Sequence, residues 1–168
     1  NAIKIASKNF DKEILIDQSL NFTFSQNVAP DSLLDKWLTT IPINISPAVE
    51  GRCKWISNNE LTFTPAEKFS PATHYKIELN TKEILAKGDK KLFFEGDMAW
   101  EVSTPSLQLT NVFFHWGQSP TQPGVAQLTM TTLTNYALNP ADLLKYMKVV
   151  SNSSTMQTKL AKTDIGEE

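Results

Sequence analysis

The chain has 168 residues, with 16 Lys plus Arg against 18 Asp plus Glu, two His and a single Cys. That length suits one ordinary domain or two small ones, and 40% hydrophobic residues with 20% charged is a composition that folds around a core. A net charge of −2 offers no basic field for nucleic acid or anionic lipid, and one Cys excludes an internal disulfide framework or a cysteine-built zinc site. No run of about 18 apolar residues is present to span a membrane as a helix.

Asn1-Ala2 reads as the scar of a cleaved purification tag and is set aside. The end, Lys162 to Glu168, stops without a capping pattern and reads as the edge of a fragment. Between these ends, apolar and polar residues alternate with the period of half-buried strands. Leu20, Phe22 and Phe24 share one face, then Ile43 and Ile45 before Pro47. Cys53 and Trp55 share a face in Gly51–Trp55, Ser57-Asn58-Asn59 supplies a turn, and Leu61–Pro65 returns, which predicts a β-hairpin. Tyr75, Ile77 and Leu79 alternate with His74, Lys76 and Glu78. A polar loop over 86–91 precedes Leu92-Phe93-Phe94, a Glu95-Gly96-Asp97 turn and a strand over 98–103. Short strands punctuated this often predict a β-sandwich.

Two stretches read as short helices. Residues 30–38 carry apolar side chains at helical spacing with Pro30 at the start. Residues 139–147 do the same, with Asn139 as an N-cap. They expose an internal repeat: Pro30, Leu33 and Leu34 fall on Pro140, Leu143 and Leu144 at an offset of 110, with Val28 on Leu138 and Trp37 on Met147. The order strand, turn, short helix, strand over 20–46 and 126–150 predicts two related modules. The division expected is 3–105 and 106–168, the second module being abbreviated.

The first module resembles the bacterial Ig-like repeats of surface-layer proteins and of the front of bacterial alpha-2-macroglobulins. The resemblance rests on Phe22–Val28, Ile43–Pro47, the Trp55 to Leu61-Thr62-Phe63-Thr64-Pro65 signature, Phe69–Leu79 and Trp100–Pro105. It implies an all-β, Ig-like (macroglobulin-type) sandwich followed by a second, incomplete β module, with a short helix in each. It further implies a non-catalytic scaffold piece of a large extracytoplasmic, alpha-2-macroglobulin-like chain that traps proteases, whose partners are the neighbouring modules and, for the intact protein, proteases. The alternative is an Ig-like adhesion or glycan-binding module of a cell-surface protein. The motifs themselves are structural: Trp55, Phe63 and Tyr75 are large inward residues, and Pro47, Pro65 and Pro105 end strands where no ladder bond is lost.

The expectation is no catalytic, cofactor-binding or metal-binding residue. Cys53 lies in Cys53-Lys54-Trp55-Ile56 and lacks the Cys-Gly-Glu-Gln thioester pattern, so it reads as a core thiol. His74 and His115 lack metal-ligand spacing, and His74 faces outward by strand parity. Asp11/Glu13, Glu95/Asp97 and Glu167/Glu168 are local pairs in turns or tails, whereas acid–base work needs carboxylates that converge across a cleft. Asn21, Asn44 and Asn152 head glycosylation sequons. The run Phe113-Phe114-His115-Trp116 pairs Phe113 with His115 and Phe114 with Trp116 on opposite faces. At least one of those pairs is expected in a core, with packing between modules favoured over a sugar or peptide platform.

Overall fold

In the computed structural model, residues 1–85, 92–119, 121–151 and 154–156 are described. The chain divides into two units, Asn1–Ser106 and Leu107–Glu168. The expected loop over 86–91, the end over 162–168 and part of the Asn152 sequon lie outside the described residues.

The first unit runs β1 (Ala2–Ile3), β2 (Ile5–Lys8), β3 (Leu20–Phe24), β4 (Ile43–Ser46), β5 (Gly51–Ser57), β6 (Glu60–Pro65), β7 (His74–Leu79), α1 (Thr81–Leu85), β8 (Phe93–Phe94) and β9 (Ala99–Ser103). One sheet has the order β2-β3-β6-β5 and the other β4-β7-β9, every pair antiparallel. Period-2 alternation makes each strand two-faced, so the inward rows of both sheets meet in one core. Leu20, Phe22, Phe24, Cys53, Trp55, Leu61 and Phe63 enter it from the first sheet, and Ile43, Tyr75, Ile77, Leu79 and Val102 from the second. The all-β sandwich expected from the alternation is the observed fold. Phe22 joins the two sheets, its ring 5.5 Å from Phe10 and 5.6 Å from Trp100. Gly51 permits a close approach: a Cβ there would stand 2.4 Å from the Phe63 ring.

Turn chemistry fixes the register. The β5–β6 turn at Asn58-Asn59 clamps the loop that follows β3. Val28 and Ala29 donate their N–H groups to the Asn58 carbonyl at 2.7 and 2.9 Å, and Asn58 Nδ2 donates to Ala29 O and Asp31 Oδ1. Thr104, a buried polar residue, donates its hydroxyl to Ser70 O at 2.6 Å and accepts the Thr73 N–H at 3.0 Å. The Tyr75 hydroxyl accepts the Ser70 N–H, which ties the same corner from inside.

Two expectations need correction. The predicted helix over 30–38 contracts to a 3-10 turn at Asp31–Leu33, with Pro30 at its cap rather than its first helical position. Leu34 is extended and Asp35 adopts a positive φ of 54°, which ends the turn. The backbone then runs along the open edge of β5, Asp35 N–H bonding Trp55 O at 2.9 Å and Leu38 N–H bonding Cys53 O at 2.8 Å. The sheet edge outcompetes the helix for those donors. Second, Ala2 is part of the fold, pairing in parallel with Phe93 across β1 and β8. A helix that the sequence reading does not include, α1, follows β7, with Asn80 Oδ1 accepting the Glu83 N–H at 3.3 Å.

The second unit holds β10 (Leu109–Gln118), β11 (Ala126–Thr134), α2 (Pro140–Tyr146), β12 (Val149–Ser151) and β13 (Ser154–Met156). β10 and β11 form a two-stranded antiparallel ribbon. α2 is the helix expected from Asn139-Pro140: Asn139 Oδ1 accepts the Ala141 N–H at 3.0 Å, and Pro140 begins the helix. Leu143 and Leu144 are half-buried, as are Leu33 and Leu34 in the first unit.

Candidate functional site

Cys53 is fully enclosed on β5, directly opposite Phe63 in the ladder. Burial in apolar surroundings disfavours the thiolate and pushes its pKa up from 9.0 to about 12. A nucleophile needs the reverse shift and a base within reach, whereas this sulfur is packed in the core with its thiol form favoured.

His74 is exposed on β7, and its Nδ1 lies 2.7 Å from Ser103 Oγ on the facing residue of β9. A Ser–His contact becomes a nucleophile when a third group orients the imidazole within a pocket. This pair is a cross-strand contact on an outer sheet face. Asp11 pairs with Lys8 at 3.8 Å and Glu95 with Lys4 at 3.4 Å, so these two carboxylates turn toward separate lysines, while Glu167 and Glu168 lie outside the described residues. Asn44 is exposed on β4, whereas Asn21 is half-buried with its carboxamide oxygen enclosed. Among the described residues no three His, Cys, Asp or Glu side chains gather as a metal ligand set. A cleft lined by Leu33, Leu38, Pro42, Trp55, Glu83 and Ile84 encloses about 30 Å³, room for roughly one water molecule.

Two aromatic surfaces remain. Trp37, read from sequence as part of a helix, instead lies along the outer face of β5, with the Arg52 guanidinium 4.4 Å and the Lys54 ammonium 5.4 Å from its ring. Both cations are held over the negative face of the indole. The signal was present in the alternation of Arg52 and Lys54 with Cys53 and Trp55. Helical spacing over residues 30–38 hides it, since a helix would carry Trp37 away from β5.

The larger surface is the ribbon. Val112, Phe114, Trp116, Leu128 and Met130 share one face by register, with Phe113 and His115 on the other. Phe114 is 62% exposed and Trp116 71%, while Phe113 and His115 are exposed as well. Neither pair is buried among the described residues of the ribbon, where strand pairing brings the aromatic side chains together on an exposed surface.

A bacterial Ig-like domain family matches residues 2–104. Over 69 residues, 41% of this chain, the sequence is 30% identical to an alpha-2-macroglobulin homolog of Yersinia pestis, of which the match covers 3%. Over 152 residues, 89% of this chain, it is 28% identical to an alpha-2-macroglobulin of Pasteurella multocida (strain Pm70), of which the match covers 8%. The chain thus spans less than a tenth of the length of these curated relatives. An L,D-transpeptidase from Mycobacterium tuberculosis H37Rv aligns with 61% of this chain and 40% of its own at 12% identity and a TM-score of 0.40.

Proposed function

Because the chain belongs to the bacterial Ig-like domain family, we propose that it is a non-catalytic scaffold module of an extracytoplasmic, alpha-2-macroglobulin-like protein that traps proteases. One observation carries the reading. The similarity to the Pasteurella multocida alpha-2-macroglobulin extends over 89% of this chain, which takes it through the sandwich and into the second unit.

The physical form suits the role. The first unit has a dense aromatic core and a covered sheet edge, so it serves as a rigid spacer that holds its neighbours in place. Its partners are adjacent modules of the same polypeptide, and proteases are the targets of the whole protein. No helix among the described residues is long and apolar enough to cross a membrane.

The test compares two proteins against trypsin and elastase. The 168-residue chain is expected neither to inhibit them nor to cleave a protein substrate, whereas the natural polypeptide that contains it protects large substrates. Stoichiometric inhibition by the 168-residue chain, or proteolysis by it, would sink the scaffold reading. An adhesion or glycan-binding module is the competing reading, favoured by the exposed Trp116. It gains if the natural polypeptide inhibits no protease.

A further inference from the structure

Trp37 lies on the outside of the first sheet and is held there by the backbone on either side of it. Asp35 N–H bonds Trp55 O and Leu38 N–H bonds Cys53 O, so the indole is presented on a stiff edge. It is nevertheless 45% exposed. Arg52, the only arginine of the chain, stacks its guanidinium 4.4 Å from the ring centroid, and the Lys54 ammonium lies 5.4 Å from it. Stacking on an indole fixes the plane of a guanidinium and leaves the N–H groups along its rim free to donate. No described residue forms an ion pair with Arg52 or Lys54. Asp35 and Glu50 are close in sequence and exposed, yet neither reaches these cations. Lys4, Lys8 and Lys76, by contrast, each hold a carboxylate of the same unit.

We propose that this cluster is a docking site for an acidic segment of a partner protein, which sets two carboxylates on Arg52 and Lys54 and packs against Trp37. Charge and geometry choose that occupant. A carboxylate meets a guanidinium edge with two parallel N–H···O bonds, and the ammonium takes a second carboxylate as a point charge. Arg52 and Lys54 stand on one face of β5, two residues apart, which is about 6.6 Å along a strand. An extended segment with Asp or Glu at alternate positions has the same spacing. Trp and Arg are also the side chains that concentrate binding energy at protein interfaces. A long polyanion fits less well. The chain carries a net charge of −2, and such a polymer would meet that negative field beyond the cluster, whereas a short segment meets the two cations. Docking here is independent of protease trapping: either can fail without the other.

The test is a titration of the isotope-labelled chain with a short peptide of alternating Glu and Thr, blocked at both ends and followed by NMR. The Trp37 indole N–H and the Arg52 Nε–H should shift together and saturate, with a Kd between about 10 μM and 1 mM. Arg52→Gln and Trp37→Ala should each weaken binding by about tenfold or more, and Arg52→Lys, which keeps the charge and loses the fork, should recover only part of it. Lys68→Gln, at an exposed cation outside the cluster, should change nothing, and all four variants should keep the native amide spectrum. No shift at about 5 mM peptide would overturn the proposal. So would equal shifts from acetate at the same carboxylate concentration, which would mark a site for free anions rather than a segment. Tighter binding of polygalacturonate at the same residues would make an acidic glycan the occupant. A loss in Lys68→Gln equal to that in Arg52→Gln would reduce the effect to net charge, and either of these results would overturn it too.

Discussion

The thiol of Cys53 links packing to pH through a single atom. Its pKa is raised to about 12 in the folded protein against 9.0 for an ordinary thiol, and desolvation is the cause. Above pH 9 the unfolded chain gives up this proton while the folded chain keeps it. The stability it contributes is therefore fully present below pH 9 and falls as pH rises toward 12, at about 1.4 kcal/mol per pH unit. Urea midpoints between pH 8 and 10.5 should drop more steeply for the native chain than for Cys53→Ala, whose difference cancels the shared titration of Lys and Tyr. A thiol reagent should label the native protein at the rate of unfolding. Equal slopes, or rapid native labelling, would show that the sulfur is reachable and that the inward face of β5 is misassigned.

At the level of elements, the β5–β6 turn organises a loop far from it in sequence. Asn58 supplies a carbonyl to Val28 and Ala29 and a carboxamide to Ala29 O and Asp31 Oδ1. Asn58→Ala removes only the carboxamide bonds and should cost about 1–2 kcal/mol by chemical denaturation, with faster exchange at 28–33. An unchanged midpoint would mean that the loop is held by its backbone bonds alone. Much of this layer is legible in the sequence. The inward rows at Leu20/Phe22/Phe24 and Cys53/Trp55, the Asn58-Asn59 turn and the Asn139 cap all follow from local rules. What was not legible depends on competition between distant segments. Residues 34–38 have helical spacing, but the unpaired edge of β5 takes the N–H groups of Asp35 and Leu38, and no local signal in 30–38 announces that edge. α1 could have been found, since Asn80 with Glu83 three residues on is a capping pattern. The aromatic run at 113–116 was read correctly as a strand, but strand parity cannot say whether a facing sheet exists.

Across the whole molecule, the two units differ in what holds them. The first depends on an aromatic contact between its sheets, Phe22 against Phe10 and Trp100. Phe22→Ala should destabilise it by about 3–5 kcal/mol, read as a lower urea midpoint in tryptophan fluorescence. Exchange at 111–118 and 126–133 should be unaffected, because that ribbon has its own hydrogen bonds and shares no core residue with Phe22. A coupled change in both units would refute this independence. The family resemblance noted in the sequence and the observed sandwich agree at this scale.

The path of the chain into and out of the first unit also decides how it behaves under tension. Lys12–Ile14 runs parallel to the end of β9: Ile14 N–H bonds Ser103 O at 3.0 Å and Ser103 N–H bonds Lys12 O at 2.9 Å. When two parallel segments are drawn apart from opposite ends, they slide past each other, and both bonds stretch at once. The antiparallel ribbon, joined by a loop at one end, instead opens like a zipper from its free end, one bond after another. A pull along the polypeptide would thus peel the ribbon first while the sandwich held, leaving the module as the stiff link of an extensible tether.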